Sequence, residues 1–76
     1  MDKKERDLRK AAEECSELAT ILIQQLNKPR RNFSKKIEEE MGDVLFRLEN
    51  LKKHFNFPAV VDRIKYKRDK ENEKNK

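Results

Sequence analysis

Apolar side chains return every three or four residues from Leu8 to Leu26 and again from Ile37 to Phe55, while the two prolines fall outside both stretches, at Pro29 and Pro58. That period belongs to a helix with one buried face, and proline interrupts a helix because it lacks the backbone N–H and restricts the residue before it. The spacing predicts a first helix from about Lys3 to Asn27, with Leu8, Ala11, Ala12, Cys15, Leu18, Ala19, Leu22 and Leu26 as its stripe. After a connection at Asn27–Asn32, with Asn32 or Ser34 as cap, a second helix is expected from about Lys35 to His54, carrying Ile37, Met41, Val44, Leu48, Leu51 and Phe55. A third should start near Pro58 and turn Val60, Val61 and Ile64 inward. Past Tyr66 the apolar signal stops, so residues 1–66 read as one helical domain and 67–76 as a basic, charged extension, either helical or disordered.

Two acidic pairs stand on these helices: Glu14 and Glu17, preceded by Glu13, and Glu40 and Asp43. Residues three apart lie side by side on a helix surface, so each pair aims two carboxylates in one direction. In projection Glu14 and Glu17 fall away from the first stripe, and Glu40 borders the second with Asp43 further round. For a single such pair, a solvated, salt-bridged face is the ordinary reading. Here Leu18 and Ile21 follow one turn later on the face of Glu14 and Glu17, and Phe46 lies off the stripe beyond Asp43, which suggests surfaces built to be covered. If the helices lie together, four carboxylates converge, and a hard divalent cation is what relieves their repulsion. Gly42, inside the second helix, costs about 1 kcal/mol relative to alanine, so a close approach of backbone or ligand is expected there.

Seventy-six residues with one cysteine leave a small core and no internal disulfide, so self-association is the expected source of stability. No apolar run approaches the roughly 18 residues of a membrane span. With a charged start and no secretory leader, the expected setting is cytoplasmic. The net charge of +5 favours anionic ligands without choosing between nucleotide and nucleic acid.

The run Glu13-Glu14-Cys15-Ser16-Glu17-Leu18, followed by Glu39-Glu40-Met41-Gly42-Asp43-Val44-Leu45-Phe46, resembles the paired EExxE and ExxD motifs of MazG-like nucleoside triphosphate pyrophosphohydrolases. The resemblance is strong through Phe55 and weaker to Lys67. It implies an all-α fold of a helix hairpin plus a short third helix, assembling as a homodimer or homotetramer into a helical bundle. It further implies that Glu14, Glu17, Glu40 and Asp43 hold Mg²⁺, with Mn²⁺ as a substitute, and that a nucleoside triphosphate is split into monophosphate and pyrophosphate. Glu13 or Glu17 would orient or deprotonate the attacking water. Lys28, Arg30, Arg31, Lys67 and Lys70 are the candidates for the phosphates, with Phe33 and Tyr66 available to stack on a base. The chain departs from the family in its short charged lead-in and in having no tryptophan.

Among the other residues, Cys15 is expected to be a small buried hydrophobe and His54 to meet a helix dipole. The competing readings are a basic helical module that binds nucleic acid or a protein, and a family member that holds nucleotide with little turnover. Four convergent acids argue against the first, since they would repel a phosphate backbone.

Overall fold

A computed structural model describes residues 2–74. Three helices follow one another: α1 (Lys3–Asn27), α2 (Ser34–Leu51) and α3 (Phe57–Lys74), with a 3₁₀ turn at Lys52–His54 between the last two. Among the described residues there is no strand. The stretch 67–74 thus takes the helical option, as the outer part of α3, while residues 75 and 76 of the expected extension lie outside the described residues. At 18 residues α3 is as long as α2, not a short addition.

Local chemistry sets the boundaries. Asp2 caps α1, its side chain accepting a hydrogen bond from the Glu5 N–H at 2.7 Å, which satisfies a donor the first turn cannot use internally. The helix ends where the Lys28 N–H reaches Gln24 O at 2.9 Å, just before Pro29. Capping of α2 differs from expectation: Phe33 occupies the cap position and offers no side-chain acceptor, while the Asn32 side-chain oxygen Oδ1 accepts the Ser34 N–H at 2.9 Å from one residue further out. Asn56 does the same for α3, accepting from Ala59 N–H at 3.2 Å.

The connection is held from inside the hairpin. Gln25 Nε2 donates to Arg31 O at 2.7 Å, and Gln25 Oε1 accepts the Phe33 N–H at 3.0 Å. A single half-buried amide therefore fixes both sides of the turn and sets α2 antiparallel to α1. At the far end the His54 ring nitrogen Nε2 lies 2.9 Å from Asp7 Oδ2, closing the same register over the length of the hairpin.

Along the seam the buried and half-buried positions are Asp7, Ala11, Glu14, Leu18, Ile21 and Gln25 on α1. Facing them are Phe33, Ile37, Glu40, Val44, Arg47 and Leu51. Both sets alternate steps of four and three, the signature of two helices wrapped at a shallow angle. The α1 seam lies one residue, about 100°, away from much of the expected stripe. This corrects three expectations. Ile21, expected off the stripe, is with Ala11 one of two buried apolar residues among those described. Cys15 is exposed, and so are Leu8, Leu22, Leu26, Met41, Leu48 and Phe55. The reason is that the face richest in apolar side chains is not the one that meets α2, because that contact is taken by a seam with polar layers at Asp7–His54 and Glu14–Glu40.

Helix α3 does not lie along the hairpin. It departs after the extended residue Phe55, and Val60, Val61 and Ile64, expected to point inward, are exposed. Between α3 and the end of α2 runs an apolar groove of ≈ 550 Å³, with Leu45, Leu48 and Phe55 on one wall and Phe57, Val60 and Ile64 on the other. The flat outline, 43 × 37 × 15 Å, gives a radius of gyration of 15.3 Å, against about 11 Å for a compact domain of this length. The chain exposes 6600 Å², roughly a third more than the about 4900 Å² of a compact monomer of its mass.

Candidate functional site

Halfway along the seam, the register that pairs Gln25 with Phe33 and Asp7 with His54 sets Glu14 against the first turns of α2. Carboxylate oxygens of Glu14, Glu40 and Asp43 all lie within 4.8 Å of one another. Glu14 is half-buried, Asp43 exposed, and Glu40, at 3% exposure, is the most enclosed of the described residues. Glu40 thus occupies a seam position that would ordinarily carry a leucine.

Glu17 stands one turn beyond Glu14 on the open side. Its carboxyl is raised above the ordinary value, first because it shares a hydrogen bond with Glu14 and then because the charge of Glu40 lies close. Such a shift means that ionising all these acids together is unfavourable, which is the condition a bound cation relieves. Lys36, one turn before Glu40, places Nζ 3.0 Å from Glu40 Oε1, and this pairing raises the lysine above its ordinary value. The second Glu40 oxygen, Oε2, is buried and has no hydrogen-bond partner. A buried oxygen lacking a donor is rare in folded proteins and signals a missing partner. An all-carboxylate donor set suits a hard divalent ion such as Mg²⁺ or Mn²⁺ rather than zinc or copper. The residues therefore fit a metal of that class.

A groove of ≈ 330 Å³ adjoins the acids, lined by Ser16, Glu17, Thr20, Gln24, Lys36 and Glu40 among others. It is open, mixed in polarity and large enough for a small group beside the carboxylates.

The remaining sequence candidates lie apart from this cluster. Glu13 is exposed on α1 and pairs with Lys10 at 3.6 Å. Lys28, Arg30 and Arg31 are exposed in the connection, with the Arg31 guanidinium 5.5 Å from the Phe33 ring centre. Lys67 and Lys70 sit on the projecting α3, where Lys70 is spent locally on Glu73, 3.7 Å away, and on the Tyr66 ring, 5.7 Å away. Tyr66 also receives Arg63 at 4.7 Å. At Gly42 the side-chain position is open, with nothing within 4 Å of where a Cβ would stand, so the expected close approach is absent among the described residues.

Two functional candidates escaped the sequence reading. Lys36 looked like any other base in a highly charged chain, and its i, i+4 spacing to Glu40 was the available signal. His54, expected to meet a helix dipole, instead meets Asp7, a carboxylate that is buried and lowered below its ordinary value chiefly by that hydrogen bond. The imidazole donates from Nε2, because a carboxylate only accepts.

The sequence matches the model of the MazG nucleotide pyrophosphohydrolase domain over residues 3–74. No curated protein and no solved structure matches it. With nearly the whole chain covered, the protein belongs to the MazG family.

Proposed function

We propose that this member of the MazG family is a metal-dependent hydrolase that cleaves nucleoside triphosphates to nucleoside monophosphate and pyrophosphate. The observation that carries this reading is the convergence of Glu14, Glu40 and Asp43 from two helices within 4.8 Å, with Glu40 enclosed and one of its oxygens unpartnered. A purely structural acid cluster gains nothing from burying a carboxylate between two others.

Glu14, Glu40 and Asp43 would hold Mg²⁺, or Mn²⁺ in its place, with Glu17 at the edge of the set. When bound, the ion supplies charge neutralisation at the phosphates and acidifies a coordinated water. The other steps fall to the chain. Glu40, fixed in the seam, is pre-organised, and little rotamer entropy remains for it to lose on binding. Glu17 is exposed beside the cluster, and its raised affinity for a proton suits it to accept one from the attacking water. Glu13, on the same helix but facing outward, is the second candidate for that role. Arg30 and Arg31 offer planar forks for phosphate oxygens, and Lys28 a point charge.

Lys67 and Lys70 act on phosphates in this scheme only if another copy of the chain carries them to the site, because α3 stands away from its own hairpin. The apolar flank formed by Leu8, Cys15, Leu22 and Leu26, with the groove between α2 and α3, supports assembly as a homodimer or homotetramer. A face of this kind left in water would be costly to a domain this small. No helix among the described residues is long and apolar enough to cross a membrane, and a cytoplasmic place of action fits the proposed substrate.

The test is incubation of the purified protein with ribo- and deoxyribonucleoside triphosphates and Mg²⁺, resolving monophosphate and pyrophosphate from diphosphate and phosphate. Release of pyrophosphate that stops on Asp43→Asn is the expected result. Nucleotide binding without turnover would move the protein to a holding role, and tight, acid-independent nucleic-acid binding without pyrophosphate release would overturn the enzymatic reading.

A further inference from the structure

A carboxylate withdrawn from water needs a compensating charge. Glu40 is 3% exposed, and its cationic contact among the described residues is Lys36, whose Nζ lies 3.0 Å from Oε1. The two partners differ in freedom. Glu40 is locked between α1 and α2, whereas the Lys36 side chain is 58% exposed and lies along the open groove beside Glu17 and Thr20. The carboxylate cannot leave; the ammonium can.

Carboxylate oxygens of Glu14 and Asp43 also lie within 4.8 Å of one on Glu40, and Glu40 Oε2, which Lys36 leaves unpartnered, remains for a second cation. Lys36 and a divalent ion therefore compete for one electrostatic task at one buried residue. They also repel each other.

We propose that Lys36 is the built-in counter-ion of this site: its ammonium neutralises Glu40 while the metal is absent and gives up that role when a divalent ion binds. The proposal rests on the reading of the acid cluster as a metal site. Lys36 is here a positioning residue, since the role proposed for it is exercised through Glu40. Its consequence is an opposition. Removing the lysine charge weakens the metal-free protein and strengthens its hold on the metal. A lysine that merely oriented Glu40 as a ligand would, when removed, weaken both together.

The experiment compares the full chain with Lys36→Met, which keeps the aliphatic stem, and Lys36→Arg, which keeps the charge, each alone, and with Lys36→Met in a Glu40→Gln background. Thermal unfolding in chelator reads the metal-free protein, and calorimetric titration with Mn²⁺ reads the affinity. Lys36→Met should melt lower in chelator and bind Mn²⁺ roughly tenfold tighter, the scale of removing one unit charge from beside a divalent ion under near-water screening. Lys36→Arg should resemble the parent on both counts. With Glu40 already neutral, Lys36→Met should no longer lower the melting point, because no buried charge is left to compensate. Equal or weaker Mn²⁺ binding by Lys36→Met, or an undiminished loss of stability in the Glu40→Gln background, overturns the proposal while leaving the metal site standing. Absence of Mn²⁺ binding by the parent protein removes the metal site itself. If Lys36→Met fails to fold without metal, folding of the Glu40→Gln double variant supports the counter-ion role, and its failure to fold overturns it.

Discussion

Glu40→Gln keeps the shape of the most enclosed side chain in the acid cluster and deletes its charge, which makes it the sharpest probe of what that residue is for. In the parent protein a divalent ion at 100 times its dissociation constant should stabilise the fold by about 2.7 kcal/mol. In a domain of this size each kcal/mol moves the melting point by about 4–8 °C, so the expected rise is roughly 10–20 °C. Glutamine leaves Glu14 and Asp43 as the anionic members of the set whose oxygens lie within 4.8 Å. Losing a direct donor should cost at least the 10–100-fold in affinity that follows loss of an outer-shell partner. At the same metal concentration a 100-fold loss leaves half-saturation, a gain of about 0.4 kcal/mol and a rise of roughly 2–3 °C. Without metal the variant should melt no lower than the parent, because the amide removes a desolvated charge and its repulsion from Glu14 and Glu17. Melting curves monitored by circular dichroism, across a Mg²⁺ or Mn²⁺ titration and in chelator, measure all four quantities. A Glu40→Gln protein that keeps the parent's metal-induced rise would refute the reasoning, as would a parent protein that shows none.

Ile21 and Ala11 are the buried apolar residues of the seam, so Ile21→Ala should cost about 2–4 kcal/mol, read as a fall in the urea midpoint at unchanged slope; a shift under about 0.5 kcal/mol would mean that the seam is not packed as described. Asp7 is lowered below its ordinary value by His54, so its contribution to stability is fully present above the unfolded-state value near 3.8 and lost as pH falls through the lower folded-state value. Asp7→Asn should accordingly destabilise the protein at neutral pH and flatten its acid unfolding limb below about pH 4; superimposable pH profiles would contradict the link. Replacing Lys67 and Lys70 together with alanine should slow triphosphate cleavage and leave Mn²⁺ binding unchanged, and equal turnover would exclude α3 from the substrate site. Gly42→Ala should stabilise the protein by about 0.5–1 kcal/mol, since helix propensity improves and nothing stands within 4 Å of the added methyl; destabilisation that grows with protein concentration would show a second copy packed at that point.

The helices were legible because their causes are local. Apolar period, proline position and the absence of breakers between Lys3 and Asn27 act within a few residues of one another, and α1 has the predicted bounds. The two acid pairs were legible for the same reason, since three-residue spacing decides which side chains share a helix face. Faces were harder to assign. The stripe from Leu8 to Leu26 is the most apolar side of α1, yet the hairpin closes one residue further round, through Asp7, Ala11, Glu14, Leu18, Ile21 and Gln25. Hydrophobicity ranks faces by what they gain from burial in general; it does not say which partner will cover which face.

The sequence by itself determined that this chain is helical, where the helices lie, that it carries paired acids suited to a divalent ion, and which family motif those acids resemble. Tertiary structure alone decided that Glu40 would be enclosed with one oxygen on Lys36 and the other unpartnered, that Ile21 would be buried while Cys15 stayed exposed, and that His54 would answer Asp7 across 47 residues of chain. The division has a physical cause. Helix formation and capping are settled by neighbours three or four positions away, whereas burial and charge pairing depend on the rotation of one helix against another, which the Gln25 contacts in the turn and the opposing polar layers fix only once both helices are in place.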